Sequence, residues 1–183
     1  MSTSLSSPLP RRVKPSPRPL SLDAPRCFSN SANRRNAPNY TISNLDERTY
    51  HALSNGVLDS LTEHFEALIE ESDIDALEQR AARDKLGPQR GAPTTEWDVE
   101  CATGVMNLRL GPYGTYVINK QPPNKQIWLS SPTSGPKRFD YDESHRAWFS
   151  LKEGQLVTLK ELLDSELSRV FDTAVDVDLD PHP

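Results

Sequence analysis

The residues of this chain with the clearest capacity for chemistry are acidic side chains that recur at helical spacing. Successive members lie four, three, four and three positions apart: Asp59, Glu63, Glu66, Glu70 and Asp73. On a helix this spacing places the carboxylates along one edge. No lysine or arginine intervenes between Arg48 and Arg80. The mutual repulsion of the carboxylates, about 0.2–0.5 kcal/mol for each pair four residues apart, is therefore not offset within the segment.

A second acidic row consists of Glu96, Asp98 and Glu100, which would share one face of a strand. Carboxylate oxygens suit hard and borderline cations, and a bound metal ion would relieve the repulsion and stabilise the fold. Because the carboxylates form a row rather than a cage, the expected affinity for metal ions is modest and several ions could share the row. His64, next to Glu63, could add a nitrogen ligand, although a lone surface histidine is more often simply solvated. The same charges are also typical of a solubilising surface or a protected edge strand, and their spacing alone does not decide between these interpretations.

The segment from Gly114 to Asp140 is the most distinctive part of the sequence, because Asn-Lys-Gln occurs on both sides of Pro122-Pro123. In the strand that follows, Ile127 and Leu129 share one face and Trp128 lies on the other. If the two aliphatic residues face the core, Trp128 points outward among amide side chains. An outward tryptophan indicates a protein-binding surface, or else a ring half-covered by a neighbouring strand.

A long helix must position the first acidic row. Apolar residues three and four positions apart predict an amphipathic helix over residues 45–71, with Asn44 and Glu47 forming a capping box at its start. Asn55-Gly56 weakens this helix, so tertiary contacts must compensate. Residues 75–85 are compatible with a continuation of the helix, and the glycines and prolines at 87–93 then predict a loop.

From Trp97 onward, apolar residues recur at every second position, which predicts β-strands. Their approximate bounds are Trp97–Cys101, Met106–Leu110, Tyr113–Asn119, Gln126–Ser131, Lys137–Tyr141 and Ala147–Leu151. Short connections between them imply sequential antiparallel strands. A second helix begins at Thr158, where Glu161 completes a capping box. The order helix, strands, helix predicts an α+β fold with two helices packed on one face of an antiparallel sheet.

The chain divides by composition into a leader over residues 1–44, a folded domain over residues 45–175 and a tail over residues 176–183. The leader holds seven basic residues and one acid, Asp23, with many serines and prolines. This composition is typical of an organelle transit peptide, although a plain disordered basic tail shares it. In the tail, valine and aspartate alternate around residue 176, which predicts an extended segment along the helices.

Charge and cysteine content restrict the function classes. Without the leader, 14 lysines and arginines face 25 aspartates and glutamates, a net charge of −11. A strongly acidic domain argues against nucleic acid as a partner and favours cations. No stretch approaches the roughly 20 apolar residues that a membrane span requires. Cys27 lies in the leader, so Cys101 alone remains in the folded part and no disulfide is expected there.

The segment 114–140 is similar, nearly residue for residue, to the signature of the frataxins, a family of mitochondrial iron-handling proteins. Further matches are Leu45-Asp46-Glu47, Leu58-Asp59-Ser60-Leu61, Trp97-Asp98-Val99, Gly104-Val105 and Leu162-Leu163. The resemblance covers about residues 45–172, which is the whole predicted domain. It implies the frataxin fold, an α-β-α sandwich of two helices over one antiparallel sheet, and a location in the mitochondrial matrix.

The resemblance also implies a function. Frataxins bind Fe²⁺ and Fe³⁺ on an acidic ridge and act with the cysteine desulfurase and scaffold protein that build iron–sulfur clusters, as iron donors, as activators of sulfur transfer, or as both. By this resemblance the iron ligands would come from Asp59, Glu63, Glu66, Glu70, Glu96, Asp98 and Glu100. The partner surface would comprise Asn119, Gln121, Gln126, Trp128 and Arg138. An alternative is a ferroxidase that stores iron in oligomers, and delivery of iron to ferrochelatase and iron-driven oligomerisation are likewise attributed to the family.

Overall fold

The computed structural model describes residues 39–84, 96–152 and 154–179, and its centre is a seven-stranded antiparallel sheet. The strands lie side by side in chain order: β1 Trp97–Ala102, β2 Val105–Leu110, β3 Thr115–Gln121, β4 Gln126–Ser131, β5 Gly135–Asp142, β6 Ala147–Lys152 and β7 Gln155–Thr158. The predicted sequential arrangement is confirmed, and β7 is an additional strand. The predicted leader up to residue 38, the glycine- and proline-rich loop and residues 180–183 lie outside the described residues.

Three helices accompany the sheet: α1 Glu47–Glu71, α2 Ile74–Arg83 and α3 Leu159–Phe171. The predicted α+β class and the two long helices are confirmed, and α2 is a separate short helix rather than a continuation of α1. Its start is fixed by Asp73, whose side chain accepts a hydrogen bond from the Ala76 amide at 3.1 Å. The helix buries Leu77 and Ala81 and accepts a hydrogen bond from the Trp97 indole at Glu78.

The start of α1 differs from the prediction. Asp46 caps the helix in place of Asn44, because its carboxylate accepts from the Thr49 amide at 2.7 Å and from the Thr49 hydroxyl at 3.0 Å. The weak Asn55-Gly56 step is retained within the helix, and the Asn55 side chain accepts a hydrogen bond from the Lys120 ammonium group on β3. A tertiary contact thus offsets the low helix propensity of this turn.

One face of the sheet and the apolar stripes of the helices form a single core. Alternate strand residues are fully buried, among them Leu108 in β2, Ile118 in β3 and Leu129 in β4. They pack with helix residues such as Leu61 of α1 and Leu163 of α3. Because neighbouring side chains of a strand point to opposite faces, the residues between them must lie on the other, outer face of the sheet.

The short helix α2 reaches the C-terminal end of α3 through Arg80. Its guanidinium donates to the carbonyl oxygen of Arg169 at 2.8 Å and to that of Val170, and it pairs with Asp172 at 3.1 Å. The Nε atom donates to the Tyr113 hydroxyl at 3.3 Å. The last carbonyls of a helix lack partners within the helix and carry partial negative charge, so a cation there stabilises it.

Residues 175–179, the described part of the C-terminal segment, lie along α3, as the alternating pattern predicts. Val175 and Val177 are buried, whereas Asp176 is exposed. The Val177 amide donates to the Asp164 carboxylate at 2.8 Å, and the Lys160 ammonium group donates to the Val177 carbonyl oxygen at 2.8 Å. Among the residues described, none of the three helices combines the length and apolar character that crossing a bilayer demands.

Residues ahead of α1 are attached to the sheet through a buried carboxylate, that of Asp142 at the end of β5. It accepts hydrogen bonds from the Ser144 hydroxyl at 2.5 Å, the Thr41 amide at 2.6 Å and the His145 ring at 3.0 Å. Burial acts to raise the pKa of Asp142, but these hydrogen bonds outweigh burial and hold the pKa well below its ordinary value. Tyr40, which also precedes the helix, stacks on Phe149 with ring centroids 5.2 Å apart.

We expect the substitution Arg80→Met to lower the free energy of unfolding by about 1–3 kcal/mol, because it removes the cation from the α3 carbonyls but keeps an apolar stem. Urea denaturation measures the change. The matched control is Arg83→Met on the same helix, which is exposed and should change stability by less than about 0.5 kcal/mol. Equal losses in the two variants would contradict the capping role of Arg80.

Asp142 should make stability depend on pH. Its folded-state pKa lies below the ordinary value of 3.8, so its contribution is present above about pH 4 and is lost as pH falls through the folded-state pKa. We expect Asp142→Asn to be less stable than the wild type at pH 7, with a difference that shrinks below about pH 4. Denaturation curves at a series of pH values test this, with the exposed Glu143→Gln as control. A difference that stays constant down to acid pH would refute the explanation.

Candidate functional site

Four acidic residues of α1 form an exposed line that we call the helix row: Asp59, Glu63, Glu66 and Glu70. Within the described ranges 39–84, 96–152 and 154–179, these four carboxylates form no ion pair. Asp73, which continues their spacing in the sequence, instead caps α2. The helix row thus presents four negative charges to solvent without an ion-pair partner from these parts of the chain.

The acidic residues beside and within β1 form a second line, the strand row: Glu96, Asp98 and Glu100. A basic residue of β2 accompanies them. The Arg109 guanidinium lies 3.0 Å from the Glu100 carboxylate, 3.1 Å from that of Asp98 and 3.7 Å from that of Glu96. The hydrogen bond to Glu100 and the nearby negative charges raise the pKa of Arg109. The strand row therefore includes its own cation, in contrast to the helix row.

The two rows meet at the edge of the sheet but face different directions. β1 is the edge strand, and α1 packs against it on the core side. Asp98 pairs in register with Arg109, whose strand neighbours Leu108 and Leu110 are buried, so the strand row lies on the outer face. Within the described part of the chain, no three His, Cys, Asp or Glu side chains converge on one metal-sized position. The predicted ridge is therefore two open rows on either side of an edge strand.

His64, which the sequence offers as a nitrogen donor beside the helix row, is turned toward the protein. Its Nε2 atom is buried and has no hydrogen-bond partner among the described residues, and its ring meets that of Phe65 edge-on at 5.9 Å. The hydrogen bond from Lys160 and its positive charge lower the pKa of Asp176 in the tail, and the proximity of the His64 ring acts in the same direction. His64 thus lies on the side of α1 that faces the tail.

The residues predicted to contact a partner lie together on the outer face, which we call the partner face: Asn119, Gln121, Gln126, Trp128 and Arg138. Trp128 stands in register between Asn119 on β3 and Arg138 on β5, and Gln121 pairs with Gln126. Ile127 and Leu129 are buried, which confirms the predicted outward direction of the half-buried Trp128. The role of the five residues in binding stays a prediction.

Polar contacts fix the orientation of the tryptophan ring. The Trp128 indole donates to the Gln126 side-chain oxygen at 3.0 Å, and the Gln126 amide donates in turn to the Asp140 carboxylate at 2.8 Å. The exposed Arg138 guanidinium carbon lies 4.5 Å from the centre of the Trp128 ring, within the range of a cation–π interaction. A chain of side chains therefore holds the ring in one position before any partner binds.

The spacing of the acidic residues does not predict Arg109 as part of the strand row, although a local feature of the sequence would place it there. Thr103 and Gly104 both have positive φ values, 49° and 77°, and form a two-residue hairpin turn between β1 and β2. A turn of this length fixes the register of the two strands, and Arg109 then falls opposite Asp98. Recognition of the turn at Thr103-Gly104 is sufficient to place the cation within the strand row.

Fold and site together define a small two-layer α+β domain with an acidic edge and an aromatic, amide-rich sheet face. Residues 43–173 match the family described as the Frataxin-like domain. A mitochondrial frataxin homolog of Schizosaccharomyces pombe is 38% identical over 132 residues, which cover 72% of this chain and 70% of that protein. The Drosophila melanogaster homolog is 39% identical over 164 residues, which cover 87% of this chain and 75% of that one.

Solved structures are similar as well. Yeast frataxin is 35% identical, with a TM-score of 0.43, and the match covers 75% of this chain and 97% of that one. A trimeric frataxin from Saccharomyces cerevisiae, described as complexed with ferrous, is 33% identical with a TM-score of 0.41, over 73% of this chain and 92% of that one. The family match and the curated relatives are sufficient for assignment: the chain belongs to the frataxin family. The relatives are named as mitochondrial proteins in several species, which confirms the predicted mitochondrial location.

Proposed function

We propose that this protein binds iron along its acidic rows and activates the cysteine desulfurase–scaffold complex that builds iron–sulfur clusters in the mitochondrial matrix. The observation that carries the proposal is the register row Asn119–Trp128–Arg138 on the open sheet face, within a chain of the frataxin family. A central aromatic anchor flanked by an amide and an arginine is the composition of a binding hot spot. Iron is the cargo of the protein in this function rather than a resident cofactor.

The helix row supports the iron part of the proposal. Four exposed carboxylates on one edge repel one another, and cations that bind among them remove this repulsion. Carboxylate oxygens are hard ligands that accept Fe²⁺ and Fe³⁺, and an open row gives modest affinity because solvent completes each coordination shell. We propose that the iron ligands come from the helix row and the strand row, with the helix row as the uncompensated part.

The partner face supports the second part of the proposal. Because Gln126 and Arg138 already hold the Trp128 ring, docking costs little side-chain entropy. The amides of Asn119 and Gln121 beside the ring provide donors and acceptors at the margin of the contact. The partner face is thus prepared for a protein surface and lies apart from the helix row, on the opposite side of the sheet.

The iron part predicts metal-dependent stabilisation to which the helix row contributes. We expect Fe²⁺, added without oxygen, to raise the melting temperature of the wild type more than that of Glu63→Gln/Glu66→Gln, because a ligand that binds only the folded state stabilises it and the variant lacks two carboxylates of the helix row. Without metal, the double variant should be equal to or slightly more stable than the wild type, since repulsion is reduced. The charge-matched control Glu47→Gln/Glu143→Gln lies off the row and should respond as the wild type does.

A metal-induced shift as large in the row variant as in the wild type would contradict iron binding at the helix row. Oxygen consumption in proportion to added Fe²⁺, lost in the same variant, would instead support the ferroxidase alternative.

The assignment of the partner face predicts a variant that loses partner binding but keeps iron binding. We expect Trp128→Ala to weaken binding to the purified desulfurase–scaffold complex by about 2 kcal/mol or more and to abolish stimulation of cluster assembly, because a central aromatic anchor is lost. Fe²⁺ binding should be unchanged. The control is Leu151→Ala, which truncates an apolar residue of β6 that is 65% exposed. Loss of stimulation in both variants, or in neither, would refute the assignment of the partner face.

A further inference from the structure

Arg109 occupies a position that a bound cation would otherwise take. Its three guanidinium nitrogens each approach a different carboxylate of the strand row, at 3.0, 3.1 and 3.7 Å. The Arg109 side chain is 27% exposed, whereas the three acidic side chains are 57–68% exposed. The cation is therefore packed on the sheet, and the carboxylates turn toward it from the solvent side.

We propose that Arg109 is the resident counter-ion of the strand row and sets the order in which metal ions load. Iron enters the helix row first, and it occupies the strand row only when Arg109 gives up its carboxylates. This inference rests on the proposed iron-binding function and adds an affinity-determining residue to it.

The difference between the rows follows from charge. The strand row has three negative charges and one positive charge within ion-pair distance, whereas the helix row has four negative charges with no ion pair among the described residues. A divalent ion that enters the strand row must displace the guanidinium fork, because binding beside it would bring like charges together, and this competition weakens binding. Each exposed ion pair is individually weak, so the arginine lowers affinity without closing the row.

The experiment uses the full chain, labelled with ¹⁵N and titrated with Fe²⁺ under anaerobic conditions. The readout is the Fe²⁺ concentration at which the amide signals of each row are half broadened. In the wild type we expect the amides of Glu63 and Glu66 to broaden first and those of Asp98 and Glu100 later. In Arg109→Gln the midpoint for the strand row should fall by roughly three- to thirtyfold, and the midpoint for the helix row should not change.

Two further variants separate this role from a structural one. Lys152→Gln removes the same charge from an exposed position on β6, five strands from β1, and should leave both midpoints as in the wild type. Arg109→Lys keeps the charge but loses the fork, so its strand-row midpoint should lie between those of the wild type and the glutamine variant. A purely structural arginine would alter the metal-free amide spectrum and leave the relative order of the two midpoints unchanged.

The wild type supplies a test that needs no substitution. The Arg109 Nε–H signal should move at the Fe²⁺ concentration that affects Asp98 and Glu100, because the guanidinium then leaves its partners. If both rows respond together in the wild type, with no effect of Arg109→Gln, the inference is wrong and the iron proposal stands. If neither row responds in any of these proteins, the iron proposal and the inference both fail.

Discussion

The arrangement of this molecule depends on one constraint, the burial of a single face of a seven-stranded sheet beneath its helices. Once Leu108, Ile118 and Leu129 are committed to the core, the residues that alternate with them must lie on the outer face. Arg109 and Trp128 acquire their positions in this way. A slip of one residue in any pairing would exchange core and surface, so hydrophobic burial fixes the register on which both candidate surfaces rely.

The same constraint gives the two acidic rows different electrostatic character. The strand row belongs to a sheet whose next strand contributes Arg109, so its charges are shared within 3.7 Å. The helix row lies on α1 at the edge of the sheet, beyond which no further strand follows among the described residues. Cross-strand pairing therefore provides a counter-ion for one row and none for the other. Counting acidic residues in the sequence does not reveal this difference, because the counter-ion comes from the neighbouring strand.

The sequence predicts which helices and strands form better than it predicts where they begin and which distant residues they contact. The apolar periods specify α1, α3 and six strands, and the Thr158–Glu161 capping box is present as expected. The start of α1 differs from the prediction because Asn44 and Asp46 can both cap a helix, and local pattern does not distinguish them from one another. The helix α2 is short and polar, so its own sequence specifies it weakly, and docking through Arg80 stabilises it.

Arg109 and Arg80, whose contacts were not predicted, differ in whether a local feature of the sequence could have revealed them. Arg109 follows from a two-residue hairpin turn, which is a local feature. Arg80 joins α2 to carbonyl groups 89 and 90 residues away, and no local pattern encodes that contact. Contacts between distant segments are thus the part of such a fold that composition and apolar periodicity leave open.

Charge is unevenly distributed across the outer face of the sheet, and this distribution affects the orientation in which a partner would approach. The charge of this face changes from the carboxylates of Asp98 and Glu100 on β1 to the guanidinium of Arg138 and the carboxylate of Asp140 on β5, which offset each other, with the amides of β3 between them. A partner is attracted in the orientation that sets its basic surface against β1 and repelled in the orientation that sets its acidic surface there, because like charges would then meet at the β1 end. Arg109 reduces the negative charge at the β1 end, and a cation bound in the strand row would reduce it further. The acidic edge and the Trp128 surface are therefore structurally separate but electrostatically coupled, since both contribute to the field that a docking protein meets.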